Sequence, residues 1–219
     1  MASTWVYLIR HGEVEEAAQK RFFGHTDVAL SPTGLRQVEA LGRHLGREAI
    51  EAVYTSDLRR ARQSGDPIAA AREIAPVIDA ALREVYMGRW EGLTFPEIRE
   101  RYPELIAAWL ADPAAVAFPE GESLEALRAR AMPALQAILE RHPGGRVAVV
   151  AHGGTNRVIL AEALGLLLRN SLRIAQDYAC VNLIEYRRSS AVVHALNQLV
   201  AGVAAVPPVE TSAQEASRP

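Results

Sequence analysis

The sequence predicts an α/β fold: a mostly parallel sheet with helices on both faces, a C-terminal antiparallel hairpin and a helical lid insertion. Three observations carry this. Residues 5–9 and 146–151 are apolar, β-rich runs, and each discharges into a histidine followed by glycine, at His11-Gly12 and His152-Gly153-Gly154. Segments of helical period follow the strand candidates. Near the end, residues 181–186 and 191–196 are β-rich runs separated by the polar turn Arg187-Arg188-Ser189-Ser190, which reads as a hairpin.

The elements can be justified in order. After the first strand, Ser31 caps a helix with Pro32 at its first position, and Leu35, Val38, Leu41 and Leu45 recur inward at helical spacing. Residues 52–55 form a short strand. Residues 57–72 form the helix after it, with Leu58, Ala61, Gly65, Ile68 and Ala69 on one face. From about 90 to 122, Gly92, Pro96, Pro103, Pro113, Pro119 and Gly121 break helical stretches into short pieces, and we expect this insertion to roof the crevice. Ser123 caps a long helix with Leu124, Leu127, Ala131, Leu135, Ile138 and Leu139 inward, ending before His142-Pro143-Gly144-Gly145. The strand at 147–150 precedes a helix over about 155–164, with Gly165 beyond it. Residues 1–200 read as one domain, and 201–219, with Pro207-Pro208 and a polar end, as a flexible tail.

Composition excludes several classes of function. With 24 Lys and Arg against 26 Asp and Glu, the net charge of −2 offers no global field for nucleic acid or an anionic membrane. Cys180 is the single cysteine, so no intrachain disulfide can form and a reducing cytoplasm is the simplest compartment. With the first strand predicted within a few residues of Met1, no secretory signal is expected, and no uncharged apolar stretch of about 20 residues occurs in the sequence. The expected protein is cytoplasmic, with a small molecule as its partner, and is a monomer or a homodimer.

The chemistry-bearing residues lie where strands end, which is where open α/β sheets bind ligands. Arg10 lies beside His11, and its fixed charge keeps the imidazole neutral and nucleophilic. Arg60 projects from a helix start, whose amides add positive potential. Two arginines and two histidines suit a tetrahedral dianion, because guanidinium forks bind phosphate oxygens in a fixed plane. Transfer of a phosphoryl group to a histidine nitrogen also needs an acid for the leaving oxygen. Glu84 can supply that proton, and a dianion bound beside it favours its protonated form. Glu13 reads as a residue that holds Arg60 or another arginine in place. His25, His44, His142 and His194 show no metal-ligand spacing and read as surface or packing residues, and Cys180 as a small apolar filler.

These residues resemble the histidine phosphatase superfamily, the phosphoglycerate mutase-like proteins. Arg10-His11-Gly12-Glu13 is similar to the family's signature, whose histidine is phosphorylated; Ser56-Asp57-Leu58-Arg59-Arg60-Ala61 resembles its second phosphate-arginine motif. Leu82-Arg83-Glu84 with Gly88-Arg89-Trp90-Glu91-Gly92 resembles the proton-donor segment, and His152-Gly153-Gly154 carries the second histidine. The resemblance spans residues 8 to about 197. It implies a three-layer αβα fold, a phosphohistidine intermediate and no metal or organic cofactor. It further implies a phosphate pocket of Arg10, Arg60, His152 and Gly153, and a substrate pocket drawing on Arg21, Phe22, Phe23, Gly24, Arg83 and Tyr86. The chain departs from the pattern at Val14 and Ala17, where relatives commonly carry Ser or Thr and then Asn. The true mutases carry a longer, more basic insertion, so the resemblance leans toward a phosphomonoesterase. Trp90-Glu91-Gly92 and 119–123 resemble the phosphatases, including the alpha-ribazole phosphatase and broad-specificity types, and the stretch from Gln176-Asp177 through Val181-Asn182 and Glu185-Tyr186 is similar to the alpha-ribazole phosphatase type. A mutase and a non-catalytic phosphoester-binding module are the two alternatives.

Overall fold

The computed structural model describes residues 3–15 and 17–200. Six strands form one sheet in the order β3-β2-β4-β1-β5-β6. They are β1 (Thr4–Arg10), β2 (Ala52–Thr55), β3 (Val77–Ile78), β4 (Arg146–Ala151), β5 (Val181–Tyr186) and β6 (Ala191–Gln198). β1, β4, β2 and β3 pair in parallel, while β5 joins β1, and β6 joins β5, antiparallel. The expected hairpin therefore continues the main sheet.

Alternation along β1 explains the layers. Val6 and Leu8 face one side, with Tyr54, Val147 and Val149, against α5 (Leu124–Arg141) and α6 (Gly153–Leu164). Tyr7 and Ile9 face the other, with Val53, Ala148 and Val150, against α1 (Pro32–Leu45) and α2 (Arg59–Ala70). The central strands are buried on both faces and so read as continuous apolar runs.

The helix boundaries follow their caps. The Ser31 hydroxyl accepts from the Gly34 N–H at 3.0 Å, Ser123 accepts from Ala126 at 3.1 Å, and Gly165 ends α6 at φ 65°. Leu35 is a correction: it is 43% exposed, and Gly34 and Gln37 occupy the buried face of α1 instead. The short edge strand β3 escapes the sequence reading because both of its residues are exposed and offer no alternation.

The insertion contains α3 (Phe95–Arg101), opened by a Thr94–Glu97 capping box, and α4 (Pro103–Ala111). It is anchored on fully buried Trp90, which meets Phe118, Trp109 and Phe22 edge-on. No helix among the described residues is long and apolar enough to cross a membrane. The expected tail at 201–219 lies outside the described residues.

Candidate active site

Strand register places the two histidines together. Arg10 on β1 is level with Ala151 on β4, and Thr55 on β2 with Val150, so His11, His152 and Ser56 leave neighbouring strand ends side by side. The His11 N–H continues the ladder to the Ala151 carbonyl at 3.1 Å, and the rings of His11 and His152 are 5.1 Å apart. Gly12 is required by close approach: a β-carbon there would lie 2.8 Å from the Gly34 carbonyl at the start of α1.

Burial of charge and polarity marks this cluster. His11, Arg60, Glu84 and His152 are exposed by only 5%, 1%, 7% and 0%. His11 Nδ1 lies 2.8 Å from the Gly12 carbonyl, which can only accept, so Nδ1 carries the proton and Nε2 keeps its lone pair. Burial, then the charges of Arg60 and Arg10, hold its pKa well below the ordinary histidine value. His152 is likewise held neutral by burial and then by Arg60. Its Nδ1 accepts from Arg60 Nε at 3.3 Å and its Nε2 lies 2.7 Å from the Ser56 hydroxyl, which assigns the proton to Nε2.

The arginines are held by carbonyls instead of carboxylates. Arg60 donates to the carbonyls of Thr26 at 2.8 Å and Gly24 at 2.6 Å, and Arg10 donates to that of Gln176. Arg10 Nε is buried with no hydrogen-bond partner among the described residues. Arg157, one turn into α6, donates to the Ile174 carbonyl at 2.9 Å, and burial and then Arg10 push its pKa down to about 10. No ion pair involving Arg10, Arg60 or Arg157 occurs among the described residues. Guanidinium groups gathered without a direct carboxylate partner leave donors available to an anion.

Glu84 closes the cluster from the segment after β3. Its carboxylate accepts from the N–H groups of Val85 at 2.9 Å, Gly154 at 3.0 Å and Thr155 at 3.3 Å, the latter two in the first turn of α6. A β-carbon on Gly154 would come within 2.3 Å of that carboxylate, so this glycine makes room for it. Gly153, beside it, packs under the guanidinium groups of Arg157 and Arg10.

The substrate-pocket candidates are placed differently. Arg83 forks onto Asp57, with Nε 2.7 Å from Oδ1, and Arg21 donates to the Gly92 carbonyl and to Glu97 at 3.5 Å. Phe22 packs on Trp90, Phe23 is half-buried, and Gly24 gives its carbonyl to Arg60. Tyr86 is exposed and lies 5.0 Å from the His25 ring. Glu13 is a correction: its carboxylate accepts from the Ser31 hydroxyl at 2.6 Å and pairs with no arginine among the described residues. Val14 is buried and bridges to Leu30, so it serves packing.

Sequence reasoning missed Ser56, His25, Arg157 and Tyr178. Ser56 stood inside a quoted motif without a role. His25, read as a surface or packing residue, lies 2.9 Å from the Glu84 carbonyl through Nε2. Tyr178 lies beneath Arg10, 4.1 Å from ring centroid to guanidinium carbon, and 5.6 Å from the His11 ring.

Residues 6–199 match the family described as the histidine phosphatase superfamily (branch 1). The chain is similar to phosphoserine phosphatase 1 of Hydrogenobacter thermophilus, at 30% identity over 87% of this chain and 90% of that one. It is 36% identical to a metal-independent phosphoserine phosphatase of Arabidopsis thaliana, over 78% of this chain and 75% of the relative. Among solved structures it resembles YhfR of Bacillus stearothermophilus with a TM-score of 0.84 and 30% identity, covering 90% of this chain and 98% of the other.

Proposed function

The chain belongs to the histidine phosphatase superfamily and is a phosphatase of that kind; from this premise we propose that it hydrolyses a small-molecule phosphomonoester through a phosphohistidine on His11. The observation that carries the reading is the His11 tautomer. With its proton on Nδ1, the ring offers a Nε2 lone pair beside Arg10 and Arg60. Nε2 attacks phosphorus as the bond to the ester oxygen breaks; Arg10 and Arg60 hold the phosphoryl oxygens, and His152 joins them by exchanging Ser56 for a phosphoryl oxygen at its Nε2–H. Glu84 gives a proton to the leaving alcohol. It then takes one from the water that attacks the phosphohistidine, and inorganic phosphate leaves with His11 regenerated. Positioning and charge stabilisation supply most of the rate.

Water as the acceptor is favoured by the ion pairs around the site. Arg83 is committed to Asp57 and Arg21 to the insertion, so neither is free to hold the second anionic group of a phosphorylated acceptor. The substrate is a small phosphate ester, with phosphoserine suggested by two relatives' names and alpha-ribazole 5′-phosphate by the sequence resemblance. The test measures phosphate release from phosphoserine, alpha-ribazole 5′-phosphate, 3-phosphoglycerate and 4-nitrophenyl phosphate in the presence of a chelator. Release by the native protein and none by a folded His11→Ala variant is expected. Phosphate migration on 3-phosphoglycerate without release would contradict hydrolysis, and unchanged release by the variant would contradict the nucleophile.

A further inference from the structure

The segment between α6 and β5 is bound far more tightly than a connection requires. Arg157 holds the Ile174 carbonyl; Asn156 and Asn182 donate to the Gln176 side chain at 3.1 and 3.0 Å. The Asp177 N–H donates to Asn197 at 2.7 Å, and Asn197 donates back to the Asp177 carboxylate at 2.7 Å. The Ala179 N–H donates to the His11 carbonyl at 3.0 Å, and the Cys180 carbonyl accepts from Arg10 at 3.1 Å. Ala179 itself sits at φ 58°, a left-handed conformation unfavourable for alanine that persists only because its surroundings impose it.

What this braced segment presents to the site is one carbonyl and one ring. The Gln176 carbonyl takes a guanidinium N–H of Arg10, and the Tyr178 ring lies under the same guanidinium and against His11. It is the face of this side chain that meets Arg10.

We propose that Tyr178 is a positioning residue for phosphoryl transfer: its ring holds the Arg10 guanidinium in place over the His11 side of the site. The inference rests on the phosphatase reading. A guanidinium lying on an aromatic face is attracted by the ring's negative centre and restricted in rotation, so its edge stays directed at the anion. Preorganised donors of this kind act on the transition state without moving during the reaction.

The test is a double-mutant cycle on an active ester. Tyr178→Leu keeps bulk and removes the ring, and kcat is expected to fall about tenfold with KM within about twofold. Tyr178→Phe is expected to recover nearly all of that loss. In an Arg10→Gln background, Tyr178→Leu is expected to cost little more, because the partner is already gone. Thermal unfolding of each variant identifies loss of fold, and Tyr178→Met replaces Tyr178→Leu if the latter does not fold. Equal loss in the Phe and Leu variants, a change confined to KM, or an undiminished effect in the Arg10→Gln background would each overturn the inference. A native protein that releases no phosphate from any ester would remove the phosphatase reading and this inference together, whereas any of the other outcomes removes the inference alone.

Discussion

At His11 burial acts before charge does. The sequence reading made Arg10 the reason for a neutral ring, but desolvation is the first cause, Arg60 the second and Arg10 the third. The difference is instructive: adjacency along the chain is visible in a sequence, and enclosure by three other segments is not. Glu84 illustrates the same division. Its place in a motif marked it as an acid, while its anchorage on the N–H groups of Val85, Gly154 and Thr155 depends on how α6 meets the segment after β3. Glu84→Gln keeps one acceptor oxygen for the Val85 and Thr155 N–H groups, loses the one that Gly154 uses, and cannot supply a proton. We expect kcat to fall by about 10²–10⁴ for an alkyl phosphate and by much less for 4-nitrophenyl phosphate, whose phenolate leaves readily. Equal losses on the two esters, read from parallel rate measurements, would show that Glu84 does not protonate the leaving group.

Elements whose ends carry side-chain chemistry were readable. Ser31 with Pro32, Ser123, and Gly165 each announced a helix boundary, and the two strand-end histidines announced the crevice. Elements defined only by neighbours were not. β3 is two exposed residues held by pairing with β2, and the antiparallel docking of β5 on β1 follows from tertiary packing that no local pattern encodes. The same rule separates the site residues. Arg10, His11, Arg60, Glu84 and His152 lie in motifs where strands or helices begin or end. Ser56 and Tyr178 act through other side chains, Ser56 on His152 and Tyr178 on Arg10, and neither gave a signal of its own. Leu35 shows the converse error, since an apolar residue at helical spacing still lies on the solvent face.

Across the whole molecule, the site imposes a pH dependence on stability. His11 and His152 are neutral when folded, with pKa values depressed below their unfolded ones, so the unfolded chain binds more protons as pH falls through the ordinary histidine range. Their contribution is complete above about pH 6.5 and is lost toward the depressed values. Each can lower the unfolding free energy by up to about 1.4 kcal/mol per pH unit in that window. Urea unfolding between pH 7 and pH 5 is therefore expected to show a falling midpoint, with a shallower fall in His11→Ala; an identical slope in the variant would exclude His11 as a source. The molecule thus keeps arginines without direct ion-pair partners and two neutral imidazoles at a buried site, an arrangement suited to a bound dianion.

The central claim is that the phosphoryl group resides on His11 during turnover. Rapid mixing with a ³²P-labelled ester, followed by alkaline quench and peptide mapping, tests it most directly. The account predicts an acid-labile, base-stable label on the peptide containing His11 that forms within one turnover and disappears as substrate is exhausted. Steady phosphate release with no protein-bound label at any quench time, or label on a peptide lacking His11, would contradict it.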